Sequence, residues 1–439
     1  MSSIRGQASG RSIADQLRGK RRDAADVLAH IKVGGDVIVG AANGEPKTVV
    51  DAIEAGADRL KEVRLNQMLP IRDRAHFEGK VKGIRHVSWF LSPHDKDAFH
   101  RGQCDLVPNN FSEVPALMRR TAVDPLVIVA VSPPDAHGWF SLGVNSEYSA
   151  SMIGEMPFFV EVNARMPRTY GENQIHVSQI LGWCEADYPL VEMPPREGRE
   201  EDRKIAELVA ERIPDGSTIQ AGIGAIPDLV LGLLGDHREL GIHTELFGPG
   251  FVDLIEAGVA TGSRKHTHRN KAITTTAGGT ARLYEFVAEN PGVEFWPVDQ
   301  TNDPKLVARE PHFNAINATI EVDFLGQCAS ESLGSDYWSS SGGQPDFARG
   351  AVLSEGGQAF IVLHSTTGDG ASSRIVPRLH PGAAVTTFKN IVDHVVTEYG
   401  VAELRGSSIA ERTRRLIDVA NPKFRDDLHR EARECGYLT

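Results

Sequence analysis

Two stretches of this chain follow the same strand–turn–helix plan, 181 residues apart. Residues 35–53 read as a β-branched strand, a Gly-containing turn and a helix with a proline in its first turn, and residues 216–234 read the same way. Five pairs of positions agree at this interval: Ile38 with Ile219, Ala41 with Gly222, Pro46 with Pro227, Val49 with Val230, and Ile53 with Leu234. One such pair would be chance, but five in one structural context indicate two related α/β halves.

Strand and helix patterns alternate along the chain, which predicts mainly parallel sheets with crossover helices. The β-branched run 126–131 is typical of a strand buried on both faces. Further strands are predicted at residues 63–65, 87–91, 158–162, 217–221, 272–276, 293–296, 319–324, 359–363, 384–387 and 394–397. Helices are predicted at about 13–31, 203–212, 227–235, 252–258, 280–290 and 409–420.

A length of 439 residues with 41% hydrophobic content favours two domains, each with its own core. The charged, Pro-containing segment Pro194 to Asp202 reads as the linker between them. We therefore expect an N-terminal α/β domain over residues 1–195 and a C-terminal α/β domain over residues 203–439.

Charge and cysteine content limit the partners and the compartment. A net charge of −12 argues against nucleic acid and anionic membranes as partners. No apolar run reaches the roughly 18 residues of a membrane helix. The four cysteines have neither metal nor redox spacing, so free thiols in a reducing cytoplasm are expected. The basic segment 3–22 lacks the apolar core of a signal peptide, and Asp15 departs from a transit-peptide pattern, which leaves an N-terminal helix as the preferred interpretation.

A carboxylate stands at the end of one predicted strand. The segment 241–253 runs from an apolar entry through Glu245 to a Gly-Pro-Gly turn and a helix. Open α/β sheets place their chemistry at the carboxyl ends of strands. Our hypothesis is that Glu245 is a covalent nucleophile; the alternative is a solvated glutamate beside a turn.

Two Gly-rich loops could bind a ligand. In the segment 220–227, between a strand and a helix, the glycines would let a ligand approach the backbone and the N–H groups of the helix start. It lacks the third glycine of a dinucleotide fingerprint. In the segment 339–347, consecutive small residues could present adjacent N–H groups as an oxyanion site. A plain turn and a flexible loop are the alternatives.

Other motifs indicate no further chemistry. Asp135 and His137 are two residues apart in a turn, which favours a structural role over an acid–base pair. His266 and His268 lie in a basic run without a nearby carboxylate, so we predict no metal site. No Gly-x-Ser-x-Gly elbow supports a serine hydrolase.

These motifs together resemble the acetyl-CoA hydrolase/transferase family, which includes 4-hydroxybutyrate, butyrate and acetate CoA-transferases. The matching segments occur in order over nearly the whole chain: 132–143, 162–177, 220–227, 241–246, 314–323, 342–347, 373–377, 395–400 and 404–406. The resemblance implies two related open α/β domains of the CoA-transferase type with the active site between them. It also implies a cytoplasmic homo-oligomer with coenzyme A as co-substrate and no permanently bound cofactor.

The resemblance assigns roles to residues of this chain. It implies that Glu245 forms a glutamyl-CoA thioester, and that the N–H of Ile223, the Asn302 side chain and the N–H of Gly343 hold the oxyanion. The implied CoA contacts are Gln220, Ala221, Gly222, Ile223, Gly224, Ile320, Gly342 and Gly343. The chain departs from the family in the loop 365–371, which lacks a frequent lysine near Thr367 and puts one CoA or substrate contact in doubt.

The implied activity is transfer of CoA between an acyl-CoA and a short-chain carboxylic acid. A thioesterase using the same Glu245 would differ only in water access. A non-enzymatic ligand sensor is disfavoured by the acidic charge. The acids exchanged remain open, with succinate, itaconate and simple fatty acids as alternatives. Arg64 stands 181 residues before Glu245, which would place it at the equivalent strand end and near a substrate carboxylate, although a surface arginine is the preferred interpretation.

Overall fold

The computed structural model describes residues 12–194 and 197–439. The strands of the first half are β1 (Asp36–Val39), β2 (Val63–Met68), β3 (Ile84–Phe90), β4 (Cys104–Leu106), β5 (Leu126–Val131), β6 (Trp139–Ser141), β7 (Phe158–Asn163), β8 (Tyr170–Gly171), β9 (Gln174–His176) and β10 (Ile180–Ala186). Its α-helices are α1 (Ile13–Lys20), α2 (Lys47–Ala55), α3 (Lys96–His100), α4 (Val114–Thr121) and α5 (Glu147–Ala150).

The second half contains thirteen of the described strands and nine of the described α-helices. The strands are β11 (Thr218–Ala221), β12 (Gly241–Phe247), β13 (Ala272–Ala277), β14 (Val293–Phe295), β15 (Phe313–Ala318), β16 (Glu321–Asp323), β17 (Cys328–Ala329), β18 (Ser332–Leu333), β19 (Asp336–Tyr337), β20 (Gln358–Val362), β21 (Ile375–Val376), β22 (His394–Thr397) and β23 (Gly400–Glu403). The helices are α6 (Glu200–Ala210), α7 (Ala225–Leu233), α8 (Pro249–Glu256), α9 (Ala281–Val287), α10 (Val298–Thr301), α11 (Pro304–Val307), α12 (Gln344–Leu353), α13 (Ile409–Asp418) and α14 (Pro422–Glu434). Short 3-10 helices occur at Ala24–His30, Ala42–Gly44, Ala57–Arg59, Phe111–Glu113, Val177–Gln179 and Leu234–Asp236.

Two large sheets share one strand order. The first runs β10-β7-β5-β1-β2-β3-β4 and is parallel throughout. The second contains the series β22-β20-β15-β11-β12-β13-β14, also parallel, with β23 and β8 added at its two edges. The prediction of two related open α/β halves is therefore confirmed.

The register of the sheets corrects the interpretation of Arg64. Ile38 pairs with Asn66, and its repeat equivalent Ile219 pairs with Ile242. Counting three residues on from each partner makes Leu69, and not Arg64, the counterpart of Glu245. Arg64 lies opposite Asp36 at the start of the strands, where the two side chains form an ion pair. The 181-residue interval holds for the first strand and fails for the next one, because the connection between them differs in length.

Alternation along the central strand builds a core on both faces of the first sheet. Leu126 and Ile128 of β5 pack in one buried cluster with Val49 of α2. Val127 and Val129 face the opposite cluster, which contains Phe158. Each such side chain contributes about 1.5–3 kcal/mol by leaving water. The β-branched run is thus buried on both faces, as predicted.

Several local predictions need correction. The predicted helix 13–31 ends at Lys20 and resumes as a 3-10 helix, because Arg21 is extended and bridges Trp183. Residues 384–387 form no strand and make a single bridge at Thr387. Strand β15 was not predicted, and only Glu321–Asp323 of the segment 319–324 is a strand. In the predicted linker, residues 195–196 lie outside the described residues and α6 already begins at Glu200.

All four cysteines are free thiols, as expected from their spacing. Across residues 12–194 and 197–439, every helix is too short or too polar to cross a membrane.

Candidate active site

Glu245 lies close to the carboxyl end of β12, which is flanked by β11 and β13. The hydroxyls of Thr274 and Thr276 donate to its backbone carbonyl at 3.0 and 3.2 Å. These side-chain bonds hold the Glu245 backbone against β13, in addition to the backbone hydrogen bonds between the two strands. The side chain therefore projects from a fixed backbone at the edge where parallel sheets carry their sites.

Two donors from different segments meet on the Glu245 carboxylate. The Nδ2 of Asn302, the residue that follows α10, donates to Oε2 at 2.6 Å. The backbone N–H of Gly343, the residue that precedes α12, donates as well. A Cβ atom at Gly343 would overlap both Glu245 and Asn302. Only glycine lets this backbone N–H come so close to the carboxylate.

Burial changes the ionisation of Glu245. Removal from water raises the pKa of Glu245 to about 7, while the Asn302 side chain and the Gly343 N–H favour the charged form and oppose this rise. The Glu245 carboxyl therefore titrates near neutral pH, well above the pKa of about 4.3 of a free glutamate. A carboxylate with a raised pKa is a stronger nucleophile once ionised, but its charged form is lost below neutral pH.

A buried histidine supports the Asn302 segment. Burial lowers the pKa of His243 to about 3, so its ring is neutral. Its Nε2 lies 2.7 Å from the carbonyl oxygen of Thr301 and must donate to it. The ring also packs edge-on against Phe313 and Phe347. This bond fixes the backbone immediately before Asn302.

A cavity of about 550 Å³ opens on Glu245 and is lined by both halves. Most of the lining side chains are apolar. The lining residues from the first half, with the segment that follows it, are Ala41, Ala42, Met68, Leu69, Phe90, Phe111, Asn145, Met193 and Pro194. Those from the second half are Ala221, Gly222, Ile223, Gly224, Asp228, Leu231, Glu245, Leu246, Gly248, Pro249, Phe251, Thr276, Ala277 and Gly278. The cavity therefore lies between the halves, where the sequence predicts the active site.

The first-half wall was missed by the sequence interpretation. Met68 is the last residue of β2, Leu69 follows it, and Phe90 ends β3. All three reach the cavity because the carboxyl edge of the first sheet faces that of the second. The predicted strand 63–65 stopped short of them, and apolar residues after a strand carry no chemical signal of their own.

The predicted CoA-contact residues divide into three groups. Ala221, Gly222, Ile223 and Gly224 line the cavity. Gly343 contacts Glu245 directly, with Gly342 beside it. Gln220 and Ile320 lie outside the lining: the Gln220 amide exchanges two hydrogen bonds with Asn317, and the Ile320 N–H donates to Ala329. The binding roles of all these residues remain predictions.

The remaining motifs have structural partners. Asp135 Oδ1 accepts from the N–H groups of His137 and Trp139, which confirms its structural role. His268 packs edge-on against Trp296. His86, Asp95 and Cys104 lie close enough to share a metal ion, and His86 Nε2 is 3.1 Å from Asp95 Oδ2, but none of the three lines the cavity. The loop 365–371 is likewise absent from the cavity lining.

Comparison with known proteins gives a consistent result. The acetyl-CoA hydrolase/transferase N-terminal domain model matches residues 9–194, and the C-terminal domain model matches residues 279–432. The succinyl-CoA:cyclohexane-1-carboxylate CoA transferase of Geobacter metallireducens is 41% identical over 98% of each chain. The 4-hydroxybutyrate coenzyme A transferase of Clostridium kluyveri is 40% identical over 93% of this chain and 96% of that protein. The crystal structure of RipA from Yersinia pestis superposes with a TM-score of 0.92 at 35% identity, covering 97% of this chain and all of the other.

Proposed function

The chain belongs to the acetyl-CoA hydrolase/transferase family, and we propose that it transfers CoA between an acyl-CoA and a short-chain carboxylic acid through a glutamyl-CoA thioester on Glu245. The observation that carries this proposal is the Glu245 carboxylate held by two hydrogen-bond donors at the wall of a shared cavity. An enzyme carboxylate splits a difficult exchange between two acids into easier steps.

Each step exchanges one bond for another, and no proton has to move. The Glu245 carboxylate attacks the acyl-CoA carbonyl, giving a mixed anhydride and free CoA thiolate. The thiolate attacks the glutamyl carbonyl of the anhydride, giving the glutamyl-CoA thioester and the first free carboxylate. The second acid attacks this thioester through its carboxylate, and the released thiolate then attacks the new acyl carbonyl. The products are a new acyl-CoA and Glu245 in its original state.

Every step passes through a tetrahedral oxyanion. Attack on the glutamyl carbonyl places negative charge on a Glu245 oxygen, where Asn302 and Gly343 already donate. Such a preorganised donor lowers the activation free energy by roughly 3 kcal/mol. Ile223 lies on the same cavity, and we propose its N–H as the donor for an oxyanion on the acyl group. The loop 221–224 would then receive the pantetheine arm of CoA.

The cavity favours acids with a single carboxylate and an apolar chain. Its lining in the described chain contains no lysine, arginine or histidine, and its charged residues are Glu245 and Asp228. A second substrate carboxylate would meet apolar walls and like charge. We expect cyclohexane carboxylate or butyrate to be better acceptors than succinate. An acceptor panel read as the exchange of CoA from acetyl-CoA tests this order, and faster transfer to succinate would contradict it.

Hydrolysis through the same Glu245 is the second candidate activity. It would require water at the glutamyl thioester, and the apolar walls of the cavity disfavour this. Release of free thiol from acetyl-CoA, measured with and without an acceptor acid, separates the two activities. We expect transfer to exceed thiol release when the acid is present.

Borohydride trapping tests the covalent step. The protein is incubated with acetyl-CoA and then borohydride, which reduces a thioester and spares an ordinary carboxylate. We expect inactivation together with conversion of the Glu245 carboxyl to an alcohol, detected by mass spectrometry in the peptide 239–264. Glu245→Gln treated in the same way is the control and should stay unlabelled. An inactivated wild-type protein with an unmodified Glu245 would overturn the mechanism.

A further inference from the structure

The loop that carries Gly343 is held by the first half of the chain. Ser112 lies in the 3-10 helix Phe111–Glu113, and its N–H and Oγ–H donate to Oδ2 and Oδ1 of Asp346 at 2.9 and 2.8 Å. The N–H of Phe111 donates to the carbonyl of Gly342 at 3.1 Å. Three hydrogen bonds therefore connect two consecutive first-half residues to the segment around Gly343.

Asp346 is a buried carboxylate whose two oxygens both accept hydrogen bonds from the other half of the chain. It lies in the first turn of α12, three residues after Gly343, and is 4% exposed. In that turn a carboxylate is normally stabilised by the helix N-terminus and water. Here both oxygens accept from Ser112 instead. A charge-assisted pair of bonds in a buried setting is strong and directional.

The glycine loop has little freedom around this anchor. Gly342 has a φ of +57°, which favours glycine, and a Cβ atom there would lie 3.1 Å from the Phe90 ring of the first half. On its other side, Gly343 contacts Glu245 and Asn302. The loop is therefore enclosed between the first sheet and the reactive carboxylate.

From this arrangement we propose that Ser112 and Asp346 are a positioning pair that sets the Gly343 N–H against Glu245, so that this oxyanion donor is in place only when the two halves are docked. Neither residue lines the cavity, so the pair acts through Gly343 and not on the substrate. The proposal deepens the CoA-transfer function and rests on it for its kinetic consequences. The geometry itself can be tested without the reaction.

The pair also carries a charge close to the nucleophile. Burial raises the pKa of Asp346 to about 7, opposed by the bonds from Ser112 and reinforced by the negative charges of Glu245 and Glu113. An ionised Asp346 in turn disfavours the ionised form of Glu245. Asp346→Asn removes this charge and should move the acid limb of the transfer rate toward lower pH. A merely structural role would leave that limb in place.

Steady-state kinetics of the full chain provide the first test. We expect kcat for CoA transfer to fall about tenfold in Ser112→Ala and further in Asp346→Asn, with the KM for acetyl-CoA changed by less than about threefold. Ser112→Thr keeps the hydroxyl and should retain most of kcat. Tyr170→Phe is the matched control. The Tyr170 hydroxyl, on the edge strand β8, donates to Glu289 of the second half at 2.5 Å. Loss of this bond between the halves should leave full activity. Full kcat in both Ser112→Ala and Asp346→Asn would overturn the proposal.

Hydrogen exchange provides a second test that does not depend on activity. We expect the amides of residues 340–347 to exchange faster in Ser112→Ala and Asp346→Asn, while the strands of both sheets keep wild-type protection. Unchanged exchange in this segment would overturn the proposal even if activity fell. If Glu245→Gln transferred CoA as well as wild type, the proposed function would fail, and the exchange result would still decide whether the pair positions the loop.

Discussion

The carboxyl ends of β2 and β12 occupy equivalent places in the two sheets and carry opposite chemistry. β12 presents Glu245 with donors from Asn302 and Gly343. β2 presents Met68 and then Leu69, the register counterpart of Glu245, to the same cavity. One copy of a repeated plan supplies the proposed nucleophile, and the other supplies an apolar wall of the same cavity.

The loops after the first strands of each half show the same division. In the first half, the N–H of Ala41 donates to Glu147 at 3.1 Å, and burial raises the pKa of Glu147 to about 8. That loop is satisfied by a side chain of its own half. Both this loop and the matching loop of the second half line the cavity, but Ala41 and Ala42 are buried whereas Ile223 is 64% exposed. The difference indicates that the second loop is the more accessible of the two to a ligand.

The largest expected effect comes from moving the carboxylate between the equivalent strand ends. Glu245→Gln keeps the shape and removes the nucleophilic charge, so CoA transfer should fall at least about a thousandfold. Adding Leu69→Glu to this variant should not restore activity, because Asn302 and Gly343 donate to position 245. Transfer rates from acetyl-CoA to butyrate check both variants. Recovery in the double variant would show that either strand end can carry the chemistry.

Loss of a hydrogen-bond donor to Glu245 should have the next largest effect on CoA transfer. Asn302→Ala removes the 2.6 Å bond to Glu245, and we expect kcat to fall about a hundredfold to a thousandfold. Binding of acetyl-CoA, measured by calorimetry, should persist. Asn421→Ala, at the start of α14, is the control for loss of an asparagine and should leave kcat unchanged. A comparable loss in the control would assign the effect to general destabilisation.

Filling the space at Gly343 with a side chain should reduce CoA transfer by a smaller factor. Gly343→Val would force a side chain into Glu245 and Asn302, and we expect kcat to fall about a hundredfold with the fold retained. Gly368→Val is the matched control, because nothing lies within 4 Å of a Cβ there. Circular dichroism and transfer kinetics on both variants decide the point. Full activity in Gly343→Val would remove this loop from the reaction centre.

Local sequence signals predict the strand end that carries the proposed nucleophile and one central strand of the first sheet, but they miss a strand whose contacts form only on assembly. Glu245 stands between an apolar strand and a Gly-Pro-Gly turn, and the strand 126–131 was predicted with its observed bounds. These signals are local, so one segment is enough to read them. Strand β15 was missed because its polar residues Asn314 and Asn317 interrupt the apolar pattern, and their hydrogen bonds form only in the assembled sheet.

The errors at the first half have a different physical cause. The equivalence of Arg64 with Glu245 assumed that the 181-residue interval continues past the first strand, whereas the sheet register makes Leu69 the counterpart. Which apolar residue faces a cavity depends on how two sheets approach each other. Ser112 and Asp346 were missed for the same reason, since 234 residues separate the two partners of that bond.

A positive charge on the apolar wall at the end of β2 should change the preference for the acceptor acid. Leu69→Lys would place a cation at the counterpart of Glu245, where it could pair with a second substrate carboxylate. We expect the ratio of transfer to succinate over transfer to butyrate to rise about tenfold. Leu353→Lys, at an exposed position, is the control and should leave the ratio unchanged. An unchanged ratio in Leu69→Lys would mean that the distal end of the substrate does not reach this wall.

The smallest expected effect concerns the cost to stability of holding a carboxylate at β12 and not at β2. The pKa of Glu245 is about 7 in the folded chain against about 4.3 in an unfolded one. The proton that the folded state binds more tightly stabilises it fully below about pH 4.3, and this contribution is lost as pH rises through 7. Glu245→Gln has no such charge to bury, so its Tm should exceed that of wild type by about 1–3 °C at pH 8 and match it near pH 4.5. Leu69→Gln, measured by the same thermal scans, should show no pH-dependent difference. A Tm difference for Glu245→Gln that is constant across this range would contradict the raised pKa and remove the energetic contrast between the two strand ends.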